Sequence, residues 1–174
     1  MNISFRHATP DDALLIAHVH ATSWQTHYRG ICTDQYLDHE VVDDRSKVWL
    51  ERFASANANQ HVLLAIGEHN QTVGFVCTFY DYHKEYGAYL DNLHVVTEYQ
   101  GLGIGKILMR ESAKWVKSKD PKSTLYLHVL DKNESAIVFY QRLGGKMINR
   151  YMMETPWGQK DMIRDYIWDL DQLI

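Results

Sequence analysis

Leu93-His94-Val95-Val96-Thr97-Glu98-Tyr99-Gln100-Gly101-Leu102-Gly103-Ile104-Gly105-Lys106 reads as a strand that passes through a glycine-rich loop into the start of a helix. The helix is marked by Ile104, Ile107, Leu108 and Trp115 at helical spacing. A junction of this kind suits an anion. The first N–H groups of a helix have no intrahelical acceptor, the dipole is positive at that end, and glycines let a phosphate approach the backbone. Lys106 adds a movable positive charge. Spacing separates the loops that share this logic. A dinucleotide fingerprint needs G-x-G-x-x-G, whereas Gly101, Gly103 and Gly105 recur at every second position, and no parallel βαβ unit opens the chain. A Walker A loop needs a hydroxyl after Gly-Lys, and Ile107 stands there.

Upstream, Ala88 to Val95 is a strand, preceded by a hairpin formed from His61–Gly67, a turn at Glu68–Gln71, and Thr72–Tyr80. Near the start, Met1 to His7 alternates as a strand does, and Thr9-Pro10-Asp11-Asp12 supplies an N-cap, a first-turn proline and an acid three residues past the cap. The helix that follows carries Ala13, Ile16, Ala17, His20 and Ala21 and is expected to fade near Ser23-Trp24. A second helix is expected around 43–56, with Val48, Trp49 and Phe53. Downstream, Thr124 to Leu130 is a strand, and Ala136, Phe139, Tyr140 and Leu143 mark a helix that Gly144-Gly145 ends. Two strands at about 146–153 and 162–170 are joined through Thr155-Pro156-Trp157-Gly158. The order predicts an α/β (α+β) domain with a mixed sheet flanked by helices, one domain spanning 1–174.

Composition narrows the function classes. With 18 basic and 22 acidic side chains the formal charge is -4, so the chain lacks the basic excess that attracts nucleic acid or anionic membrane. Cys32 and Cys77 are too few for a disulfide framework and read as buried free thiols in a reducing compartment. With neither a signal-peptide pattern nor a membrane-length apolar run, the expected location is the cytoplasm. The ten histidines do not pair at ligand spacing with carboxylate or cysteine partners, so no metal is expected.

Gln100-x-x-Gly103-x-Gly105 resembles the Q/R-x-x-G-x-G/A loop of the GNAT N-acetyltransferases. Leu93-His94-Val95 looks like the strand before that loop, and Asn133-x-x-Ala136-x-x-Phe139-Tyr140-x-x-Leu143-Gly144 resembles the family's second CoA motif. Trp24 with Tyr28-Arg29-Gly30 matches a pattern of its N-terminal helices. Thr97 departs from a common proline, and Gly145 from the bulky apolar residue that usually follows the motif glycine. The resemblance implies a mostly antiparallel sheet of about seven strands with two central strands splayed at the CoA site. It implies acetyl-CoA as cosubstrate, held by Leu93, His94, Val95, Gln100, Gly101, Leu102, Gly103, Ile104, Gly105, Lys106, Asn133 and Tyr140. An oxyanion donor is implied among the N–H groups of Leu93 to Val95.

Attack of an amine on a thioester requires a free amine, a stabilised oxyanion and a proton for the thiolate. An ammonium of pKa about 10 costs roughly 4 kcal/mol to deprotonate at pH 7, so a base or a water path is expected. The family counterpart of Tyr140 protonates the CoA sulfur; without the motif, Phe139-Tyr140 would read as core aromatics. For the base, His128 lies on the strand face opposite Leu125, Leu127 and Val129, and imidazole is the side chain whose ordinary pKa stands nearest neutrality. In the ribosomal-protein alanine acetyltransferases, whose motif order this chain resembles, a catalytic glutamate stands five residues before the motif asparagine, which is the position of His128. Asp91 on the preceding strand competes with it, while Glu98 belongs to the solvated lead-in.

Acceptor pockets in the family are lined by the N-terminal helices and loops, here Trp24 and Tyr28, with Asp81-Tyr82-His83 and Trp157 near them. The acceptor is a small-molecule amine or a peptide N-terminus, and oligomeric state stays open, a homodimer included. A non-catalytic acyl-CoA-binding sensor is the alternative, and it has no use for a proton donor near the sulfur.

Overall fold

The computed structural model describes residues 2–55 and 58–174. Met1, the first residue of the alternating segment, and residue 56, the expected end of the second helix, lie outside that range. The chain begins with β1 (Ser4–His7), and a single 3-10 turn at Pro10–Asp12 leads into α1 (Ala13–His27). Thr9 and Asp12 close the expected capping box: Asp12 accepts from the Thr9 N–H at 2.8 Å and from its hydroxyl at 3.1 Å. Then come α2 (Asp34–His39), α3 (Val41–Ala54), β2 (Gln60–Ile66), β3 (Thr72–His83), β4 (Gly87–Val95), α4 (Ile104–Lys119), β5 (Thr124–Leu130), α5 (Glu134–Arg142), β6 (Lys146–Glu154) and β7 (Lys160–Asp169).

Two helical features differ from expectation. α1 continues one turn past Ser23-Trp24, because Trp24 is buried against α2 and α3 rather than ending the helix, and the Tyr28 N–H closes on the Trp24 carbonyl at 2.9 Å. α2 is a six-residue helix too short to display a period. Its start is fixed by the Thr33 hydroxyl, which accepts from the Tyr36 N–H, and its anchors are buried Tyr36 and Leu37.

The seven strands form one sheet in the order β1-β2-β3-β4-β5-β7-β6, antiparallel except between β4 and β5. Alternating side chains of β2, β3, β4 and β5, among them Val76, Leu90, Leu125 and Leu127, pack under α4 and α5 against Leu108, Met109, Ala113 and Ile137. The opposite face, with Val62, Leu64, Phe75 and Cys77, is covered by α1 and α3 through Ile16, Ala17 and Trp49. At about 25 cal/mol per Å² of apolar surface these two interfaces are the main source of stability.

Two irregularities shape the middle of the sheet. Cys77 pairs with Asn92 and Thr78 with Leu90, so Asp91 is an extra residue on β4, a bulge that bends the strand. β4 then pairs with β5 only at Ala88–Leu125 and Tyr89–Tyr126, and beyond these the two strands part. This is the expected splay.

Candidate active site

The parted strands open onto a cavity of about 750 Å³. Its floor is the unpaired stretch of β4, one wall is the start of α4 with the loop before it, and the other is formed by β5 and α5. Of the expected cradle residues, Leu93, His94, Val95, Gln100, Gly101, Gly103, Ile104, Gly105 and Lys106 all line it; Leu102 does not, and at 53% exposure it points to solvent. Gly103 is the N-cap of α4 at φ +81°, a left-handed conformation that glycine adopts without strain. A Cβ there would meet nothing within 4 Å, so the backbone faces open space, as a pyrophosphate cradle requires. The Gln100 amide donates to the Val95 carbonyl at 2.9 Å and lies 3.2 Å from His27 Nε2, tying the loop back to the strand.

Asn133 caps α5 by accepting from the Ala136 N–H at 3.2 Å, and it also hydrogen-bonds the Tyr28 phenol. Loss of water around Tyr28 pushes its phenol up to about 12, against that hydrogen bond. Tyr28 stacks on Trp24 with centroids 5.1 Å apart, Trp157 meets both edge-on, and the Arg45 guanidinium lies 4.6 Å over Trp24. The expected acceptor residues are therefore one aromatic wall on the α1 side of the cavity. Tyr82 is stacked on Tyr89 on the same face of the sheet but is itself exposed.

Tyr140 lines the cavity from α5, and burial pushes its phenol above the ordinary tyrosine value. Its hydroxyl makes no hydrogen bond to the described residues. Gly145, whose place in the motif usually carries bulk, is explained by Trp168. A Cβ at Gly145 would lie 2.5 Å from the Trp168 ring and 2.9 Å from the Tyr140 carbonyl, and the fully buried indole donates to Leu143 O at 3.1 Å. The indole fills the space from β7.

The two candidate bases have different surroundings. Asp91 Oδ2 lies 2.6 Å from Arg52 Nη1 on α3, and the same guanidinium donates to Asn92 Oδ1 at 3.0 Å and covers the Trp49 ring. His128 also lines the cavity, with Nδ1 2.6 Å from buried Asp165 of β7. Arg52 and Asp165 were not singled out in the sequence. Asp165 left one trace there, a lone acid inside Met162-Ile163-Arg164-Asp165-Tyr166-Ile167-Trp168. His94 Nδ1 is 2.8 Å from the Ser23 hydroxyl, and desolvation pushes His94 down to about 3. Among the described residues, no three histidine, cysteine or acidic side chains are grouped to hold a metal ion, and no helix is long and apolar enough to cross a membrane.

Residues 21–145 match the family model for the Acetyltransferase (GNAT) family. An uncharacterized N-acetyltransferase of Bacillus subtilis, YuaI, is 28% identical over 142 residues, 80% of this chain and 78% of that protein. The spermidine N(1)-acetyltransferase of Thermoplasma acidophilum is 27% identical over 150 residues, 84% of this chain and 90% of that protein. The crystal structure of the PaiA N-acetyltransferase of the same organism, in complex with coenzyme A, superposes with a TM-score of 0.74 at 24% identity, covering 95% of this chain and 98% of that one.

Proposed function

Because this chain belongs to the GNAT acetyltransferase family, we propose that it transfers acetyl from acetyl-CoA to a primary amine of a small cationic acceptor, by direct attack in a ternary complex. The observation that carries this reading is the single cavity where the strands part, onto which the glycine cradle, Tyr140 and His128 all open. CoA enters along α4. Its pyrophosphate rests on the helix start at Gly103 to Lys106, and its pantetheine arm lies along the free edge of β4. Arg45 covers one face of Trp24 and Tyr28 stacks on that ring, so the Tyr28 and Trp157 rings are the ones left to attract a cationic amine. A relative named for spermidine acetylation supports that acceptor class.

His128 is the base in this reading, since the Asp91 carboxylate is already engaged by Arg52. The imidazole takes a proton from the ammonium, and the free amine nitrogen attacks the thioester carbon. The C=O electron pair moves onto oxygen, where the N–H groups of Leu93 to Val95 receive it. Collapse re-forms C=O and breaks C–S. The Tyr140 hydroxyl gives its proton to the leaving sulfur, and the second amine proton returns to the phenolate through water. The products are the N-acetyl amine, CoA thiol and one proton held on His128. The test is thiol release from acetyl-CoA across spermidine, other polyamines, aminoglycosides and peptides. Turnover with a small cationic amine is expected. Tight acetyl-CoA binding without release for any amine would replace the enzyme by a sensor.

A further inference from the structure

We propose that Asp165, backed by Asn149, is a positioning residue that fixes the tautomer and aim of His128, turning its Nε2 lone pair to the cavity. The inference rests on the reading of His128 as the base.

The three side chains stand in one row across three strands. His128 on β5 pairs in register with Asp165 on β7, and Asp165 pairs with Asn149 on β6. Residues directly opposite one another in an antiparallel ladder share a face and lie close enough for their side chains to meet. His128 Nδ1 is 2.6 Å from Asp165 Oδ1, and the Asn149 amide donates to Asp165 Oδ2 at 3.1 Å. Both carboxylate oxygens thus have partners and their orientation is set. Asp165 is only 4% exposed, and among the described residues its ion-pair partner is His128 alone. The adjacent Arg164 turns to Asp131 instead. A carboxylate buried this deeply is costly unless it is hydrogen-bonded and paired.

A carboxylate only accepts, so the hydrogen between the two residues belongs to Nδ1, and the neutral ring carries its lone pair on Nε2. The other titratable groups against the ring are Tyr89 from β4, Tyr126 from its own strand and Tyr151 from β6, whose hydroxyl is 3.4 Å from Nδ1. Burial pushes all three phenols up, so they stay neutral across the neutral pH range. Among the described residues, Asp165 is therefore the one charged group in contact with His128. When Nε2 takes the ammonium proton, an N–H bond of the amine breaks and Nε2–H forms. The positive charge passes to the ring, and Asp165 stabilises that imidazolium without taking a proton.

The test compares Asp165→Asn with His128→Gln on the full chain, using acetyl-CoA and the fastest amine of the screen, spermidine being tried first. Asp165→Asn is expected to lower kcat on the order of 10²-fold with the KM for acetyl-CoA within about twofold. The acidic limb of kcat/KM should move to lower pH, because an imidazolium without its carboxylate releases its proton more readily. A merely structural residue would not move that limb. Should the variant fail to fold, the unmodified protein still decides: long-range 1H–15N correlation spectra should show neutral His128 as the Nδ1–H tautomer. An Nε2–H tautomer, or an unchanged rate and limb in folded Asp165→Asn beside an impaired His128→Gln, overturns the inference and leaves the base assignment standing. Wild-type rates in His128→Gln bring down the base assignment itself, and the inference with it.

Discussion

Replacing Tyr140 with phenylalanine removes one oxygen from the wall of the cavity and little else. The ring keeps its neighbours, Trp168 at 5.8 Å and Tyr166 at 6.4 Å between centroids. Since the hydroxyl makes no hydrogen bond to the described residues, no protein partner is orphaned, and stability should change by less than about 0.5 kcal/mol. Loss of a general acid is expected to lower kcat on the order of 10²-fold, or about 2.7 kcal/mol at roughly 1.36 kcal/mol per decade. Because burial holds the phenol above its ordinary range, the hydroxyl keeps its proton throughout neutral pH, and the ratio of wild-type to variant rates should be flat from about pH 6 to 9. The assay is CoA release from acetyl-CoA beside an acyl donor whose thiol has a lower pKa. The second thiolate needs less help to depart, so the defect should shrink with it. A defect of equal size with both donors, or none with either, refutes the proton-donor reasoning and returns Tyr140 to packing.

Gly103→Val should abolish detectable calorimetric binding of acetyl-CoA while circular dichroism stays native; unchanged affinity in the folded variant removes the cradle from the CoA site. His20, His61 and His94 are all held neutral by desolvation, with His61 pushed down to about 4 and His94 to about 3. Between those values and about 6.5 the unfolded chain binds more protons than the folded one. Stability should therefore fall as pH drops below about 6.5, by up to about 1.4 kcal/mol per pH unit for each histidine. His61→Gln should flatten the urea-derived slope by one such increment, and an unaltered slope would show that His61 titrates alike in both states.

Periodicity carried most of the fold. β5 spans the segment whose alternation marks it, Thr124–Leu130, and the glycine spacing located the start of α4. Local sequence holds this information because alternation, caps and turns involve residues a few positions apart. The partners of the candidate bases are another matter. Arg52 reaches Asp91 from a helix 39 residues earlier in numbering, and Asp165 reaches His128 from 37 residues later. Such contacts depend on strand register and helix placement, which composition does not encode. Gly145 shows the same limit: its lack of bulk makes sense only beside Trp168, a residue of another strand.

The bulge in β4 has a consequence for how such a strand can arise. With Asp91 removed, Cys77–Asn92 and Thr78–Leu90 would become consecutive rungs, and every other side chain of the strand would keep its present face. The bulge therefore corresponds to one codon of extra length, gained or lost without rewriting the pattern of the strand. Point substitutions at position 91 probe a carboxylate; only a deletion there probes the bulge.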